Sequence, residues 1–173
     1  MTPDQGRFFL STFLPVIEEE ARATAKVISS VPDDRSGWKP DDKARSAAEL
    51  LVHIVSSEVW FLDGIASGEF GDPSDRADLA GRHAADVSAW YSAEFARGLD
   101  RIKALSDEDL VRDVSFFGME SHPAIYYLTY LMLHTAHHRG QLATYLRPMG
   151  SKVPSIYGGS ADEPWTGEEA AAG

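Results

Sequence analysis

The 173-residue chain contains no cysteine. Disulfides, thiolate-bound metals and a cysteine nucleophile are therefore excluded, and any metal must be held by histidine or carboxylate. Positive charge is scarce: 16 Lys and Arg stand against 27 Asp and Glu, a formal net charge of −11. That balance argues against a nucleic-acid partner, which requires a basic footprint, and against docking on an anionic membrane surface. Long apolar runs are also missing, since no stretch approaches the ~18 consecutive apolar residues of a membrane span. The stretch from Phe8 to Ile17 comes nearest to a secretory core. Only Arg7 precedes it, however, Pro15 interrupts it and Glu18, Glu19 and Glu20 follow at once. The cytoplasm is the expected location, with a small molecule as substrate and no nucleic acid or membrane as partner.

What is present suits one globular domain, with 43% hydrophobic and 25% charged residues. The expected organisation is a single domain over 1–160 and a flexible C-terminal tail over 161–173. From Asp4 to Ser30 the positions Phe8, Phe9, Phe13, Ile17, Ala21, Thr24 and Ile28 recur at helical steps, with Pro15 inside. The segment Val31 to Arg45 is rich in proline, aspartate and glycine and reads as a loop that Trp38 packs down. Ser46-Ala-Ala-Glu49 matches a capping box and starts a second helix to about Ala66. A third helix is expected from about Arg76 to Leu105, and a capped extra turn over Ser106 to Asp109. Val114 to Ser121 reads as a loop or brief strand. Pro123 suits the first turn of a last helix that Pro148 and Gly150 stop. Four long helical patterns without a strand set predict an all-α antiparallel four-helix bundle, and bundle cores are where facing helices assemble metal sites.

Three of the six histidines fall within five positions, in the segment LHTAHHRGQ. Residues four apart on a helix lie only about 40° apart around its axis, so His134 and His138 present two imidazoles to one ion. His134 and His137 are an alternative pair by spacing alone. The apolar stripe of Leu128, Leu131, Thr135, Leu142 and Tyr145 favours His134 with His138. His53 is the third candidate, because Leu50, Leu51, Ile54 and Val55 place it near the core face of helix two. A buried histidine bonded to a backbone carbonyl or to Glu58 is the competing reading of that residue. Glu58 and Gln141 are candidate groups behind the ligands, although Glu58 also reads as an exposed glutamate. Arg139 reads first as a salt-bridging residue. Tyr126, Tyr127 and Trp60 are core aromatics before they are pocket walls, and His83 and His122 are assigned no chemistry.

At this point the sequence resembles a family. Trp38-Lys-Pro40, Glu49-Leu-Leu-Val-His53 with Glu58 and Trp60, His134-Thr-Ala-His-His138-Arg-Gly-Gln141, and Leu146-Arg-Pro-Met-Gly150 with Val153-Pro-Ser-Ile-Tyr157 are similar to the DinB-like four-helix bundle proteins. That superfamily includes bacillithiol- and mycothiol-dependent transferases. The resemblance covers roughly residues 5 to 160 and maps the family's three metal-binding histidines onto His53, His134 and His138. It implies a divalent ion, nickel or zinc most often, that binds and activates a low-molecular-weight thiol. The expected function is metal-dependent S-transfer to an electrophilic small molecule, by a homodimer. A metal-dependent hydrolase and a non-catalytic metal- or ligand-binding stress-response protein are the alternatives. Three neutral imidazoles leave coordination positions open, as catalytic sites do.

Overall fold

A computed structural model describes residues 1–165 of the chain. Its long helices are α1 (Pro3–Ser29), α2 (Ala47–Ser67) and α3 (Ala84–Lys103), followed by a short α4 (Asp107–Val111) and then α5 (Tyr127–Leu146). Between α4 and α5 stands an antiparallel hairpin of β1 (Asp113–Phe116) and β2 (Glu120–Pro123). The capping box is formed: Ser46 Oγ accepts from Glu49 N while a Glu49 carboxylate oxygen accepts from Ser46 N. Thr2 and Gln5 cap α1 in the same way. These side chains satisfy amide donors that the first turn of a helix leaves without partners. Helix α1 runs unbroken through Pro15, which sits on its exposed side.

The long helices pack as a four-membered ring, α1 on α3, α3 on α2, α2 on α5 and α5 on α1. The expected bundle is therefore present, and its directions are mixed. Arg7 meets the Lys103 carbonyl while Ser88 meets Ala25, so α1 and α3 are antiparallel. Phe61 meets His134 and His53 meets His138, so α2 and α5 are antiparallel. Glu58 meets Tyr91 and Asp63 meets Arg101, so α2 and α3 run the same way. Two parallel neighbours require a long return, and residues 68–83 supply it. That return shortens the third helix relative to the expected Arg76 start. Gly81 takes φ +76° and His83 becomes the N-cap, leaving only a 3₁₀ turn at Ala77–Leu79 upstream.

Two other expectations are corrected. Phe8 is 71% exposed and Leu10 is buried in its place, while Ile17, Thr24 and Ile28 of the expected stripe are buried and Phe9, Phe13 and Ala21 pack against the core. Pro123 closes β2 instead of opening a helix, and α5 begins after a 3₁₀ turn at Ala124–Tyr126. The core is otherwise the expected one: Leu50, Leu51, Ile54, Val55, Phe61, Leu62 and Ile65 of α2 meet Val87, Tyr91, Phe95, Leu99 and Ile102 of α3. Helix α2 is long and apolar enough by composition to cross a membrane, and that apolar surface is what it buries against α3 and α5. In the 161–173 segment, Asp162 accepts from Val153 N and pairs with Arg147, and Glu163 accepts from Ser155 N. The remainder of the expected flexible tail, 166–173, lies outside the described residues.

Candidate metal centre

His53 stands on the second turn of α2, and His134 and His138 stand one turn apart on α5, where the two antiparallel helices pack. The ring centroids are 5.1 Å apart for His53 and His134, 4.7 Å for His53 and His138, and 4.4 Å for His134 and His138. One nitrogen from each ring lies within 4.8 Å of the others, a grouping that could hold a metal ion. Two of the rings are oriented from behind. His53 Nδ1–H donates to Asp75 Oδ1 at 3.0 Å, and His138 Nδ1–H donates to Gln141 Oε1 at 2.9 Å. Each bond fixes the proton on Nδ1 and leaves the lone pair of Nε2 free, as in metal-ligating histidines.

His134 differs. Its Nδ1 is buried and has no hydrogen-bond partner among the described residues. Burial, with smaller contributions from His138, His53, His137 and Arg45, pulls its pKa down to about 4. Burial also lowers that of His138, against the opposing bond to Gln141. Near neutral pH both imidazoles are uncharged, which is the form that can ligate. The donor set thus fits a divalent ion: two neutral imidazoles on α5, two fixed tautomers, and a ring with a buried nitrogen that no group among the described residues satisfies.

The other candidates separate cleanly. Gln141 stands behind His138 as expected, and its amide also donates to His137 Nε2 at 3.1 Å. His137 itself is exposed and outside the trio. Glu58 is corrected on both counts, being neither behind His53 nor exposed. Five residues along a helix is about 140° around the axis, so Glu58 faces α3. There it is 1% exposed and accepts from Tyr91 Oη at 2.5 Å. Burial outweighs that bond and raises its pKa to about 7. Arg139 is the expected salt-bridging residue, 2.5 Å from Glu20 across α1. Trp38 packs edge-on to Tyr145, and Tyr127 is a core residue donating to the Val114 carbonyl.

Asp75 is the functional neighbour that sequence reasoning missed. It lies in the return between α2 and α3, 22 residues from His53 and outside any helical period. The one available signal was chemical: a ligating histidine needs an acceptor on its second nitrogen, and this return is rich in aspartate.

Comparison with known proteins agrees with the fold. The model of the DinB family matches residues 5–169. The chain belongs to the DinB family. Two Bacillus subtilis (strain 168) proteins, both described as uncharacterized, are similar in sequence. YrdA is 29% identical over 156 residues, 89% of this chain and 91% of YrdA, and YjoA is 27% identical over 138 residues, 78% and 86%. The crystal structure of YjoA, a DinB-like protein, superposes with a TM-score of 0.67 at 23% identity, covering 86% of this chain and 96% of that one. A DinB-like protein from Bacillus cereus ATCC 10987 gives the same TM-score at 25% identity, covering 86% and 95%.

Proposed function

We propose that His53, His134 and His138 hold one divalent ion, zinc or nickel, and that this DinB-family protein is a metal-dependent transferase joining a low-molecular-weight thiol to an electrophilic small molecule. The observation that carries the reading is the trio itself: three imidazoles from two helices, with donor atoms within 4.8 Å and two rings held from behind. A bound ion of this kind lowers the pKa of a coordinated thiol and so supplies a nucleophile at neutral pH. The thiol must come from outside, since the chain has no cysteine. The protein's own residues position and exclude. Asp75 and Gln141 keep two imidazoles aimed, and Phe61, 5.9 Å from His134, closes the apolar side of the site.

One observation favours S-transfer over hydrolysis. Hydrolysis needs a proton donor for its leaving group besides the ionised water that a metal would supply, and Glu58, the candidate acid nearest in sequence, is turned to Tyr91. Asp75, the carboxylate bonded to the cluster, is already engaged by His53 and Arg45. The test is metal analysis of protein purified without a histidine tag, followed by a thiol-transfer assay with a generic electrophile. About one ion per chain is expected, with transfer that chelation abolishes. Metal-loaded protein that hydrolyses esters but transfers no thiol would reverse the order of the two readings.

A further inference from the structure

Beside the trio lies a cavity of about 150 Å³, lined by Arg45, His53, Ser57, Trp60, Pro73 and Asp75 among others. It opens along the face of α2 that the 68–83 return covers. Trp60 is pinned there: its Nε1 donates to the Gly71 carbonyl at 2.9 Å, and its ring stacks on Phe117 with centroids 5.8 Å apart. Arg45 is the cation on this wall. Its one hydrogen bond among the described residues is a long one, 3.4 Å to Asp75 Oδ2, and its side chain is 48% exposed. A guanidinium carries five N–H donors in a planar fork, so most of this one is left to meet a ligand. Arg139 and Arg7, by contrast, each reach several oxygens of the protein.

We propose that this cavity is the substrate subsite of the histidine centre and that it takes a small organic carboxylate, gripped by Arg45 and packed against Trp60. The inference rests on the metal-centre reading for the meaning of "substrate", while the cavity and its arginine stand apart from that reading. Size sets the first limit. Pockets for drug-sized ligands run to about 300–1,000 Å³, so this one suits a molecule of a few carbon atoms. It has room for a small electrophile and not for a bulky thiol. Charge sets the second limit. A carboxylate presents two oxygens to the arginine fork. A phosphate would bring a second negative charge against Asp75, with no other lysine or arginine on the lining to offset it.

The experiment is calorimetric titration of zinc-loaded protein with butyrate, butyramide and inorganic phosphate. Butyrate binding is expected, weakened at least tenfold in Arg45→Gln and less in Arg45→Lys, with zinc stoichiometry unchanged in both. Butyramide is expected to show no binding, and phosphate weaker binding than butyrate. A butyrate-induced change in tryptophan emission should vanish in Trp60→Phe. Equal butyrate affinity in wild type and Arg45→Gln, or equal binding of butyramide, overturns the proposal. Phosphate binding tighter than butyrate overturns its carboxylate preference. If the protein takes up no zinc, the metal-centre reading falls, and the same titration on metal-free protein decides the cavity. An Arg45-dependent butyrate response there upholds the anion subsite, and its absence removes it.

Discussion

Helix α5 carries two polar regions side by side, and they differ in whether the protein completes them. Thr135 and Arg139 are buried in the bundle interior, Arg139 against α1, while His134 and His138, each one residue earlier in sequence, meet His53 of α2. On the interior side Arg139 is 1% exposed and is met by the Glu20 carboxylate and carbonyl, Thr24 Oγ1 and Tyr157 Oη. That is a charge buried together with its partners, the condition under which burial is tolerated. On the α2 side three imidazoles converge with no anion between them, and one buried nitrogen lacks a partner. Arg139 is completed by the fold, although Thr135 Oγ1 and Glu58 Oε1 are buried without a hydrogen-bond partner among the described residues. The three imidazoles are a grouping that could receive an ion. A buried polar atom, even an unpartnered one, therefore does not mark a candidate site, whereas several lone pairs converging on one point do.

The largest effect expected is on the interior side. Arg139→Met leaves the Glu20 carboxylate with Tyr157 Oη but without its cation, and breaking a buried pair costs on the order of 3–5 kcal/mol of folding stability. Denaturant unfolding should show that loss, while metal stoichiometry per folded chain stays at the wild-type value. A variant that loses its ion but keeps its stability would merge the two regions into one.

The converse variant acts on the other side. His134→Ala/His138→Ala should abolish stoichiometric ion binding, and His137→Ala should leave it intact. Without metal, helical circular dichroism of the double variant should match wild type, because the core of α2 and α3 does not depend on the trio. The melting temperature should lose the increment that an ion gives by binding only the folded state. Full occupancy in the double variant would overturn the ligand assignment.

A smaller effect belongs to Asp75. Groups that orient a ligating histidine typically contribute 10–100-fold in metal affinity. Asp75→Ala should weaken ion binding by that amount with little change in stability, since its side chain is 44% exposed. Competition with a chromogenic chelator measures it, and unchanged affinity would mean that His53 is aimed by packing alone.

How much of this was legible follows the same division. The pair His134 and His138 was readable because a helical period fixes which residues share a face, and the Ser46–Glu49 box was readable because its chemistry is local. Asp75 was not, because a loop has no period to predict where its side chains arrive. Glu58 was misread because its environment is set by α3, through Tyr91, and not by its own helix. The β1–β2 hairpin stayed ambiguous for another reason. Its turn holds Phe117 at φ +54° and Gly118 at φ +70°, and left-handed positions are usually announced by asparagine or glycine, not phenylalanine. The parallel course of α2 and α3 was hidden because direction is a property of the return between them.

The smallest effect concerns pH, and it gives the two regions opposite signs. Glu58 faces Tyr91 and lies in the fields of Arg139 and Glu20, and burial raises its pKa from 4.5 to about 7. Between those values the folded chain holds a proton that the unfolded chain has released, so this group favours folding in acid and ceases to do so as pH rises through 7. His134 in the metal-free protein, lowered from 6.5 to about 4, acts the other way and favours folding as pH rises across that window. A single group shifts stability by at most about 1.4 kcal/mol per pH unit, so the two largely offset each other in wild type. Glu58→Gln removes the first contribution alone. In chelator, the stability of Glu58→Gln minus that of wild type should therefore rise between about pH 4.5 and 7 and level off above. A difference that is flat across that range would mean Glu58 is ionised in the folded protein at all these pH values. Its carboxylate would then have to be held by a group other than Tyr91, and the interior side of α5 would be no more self-sufficient than the histidine side.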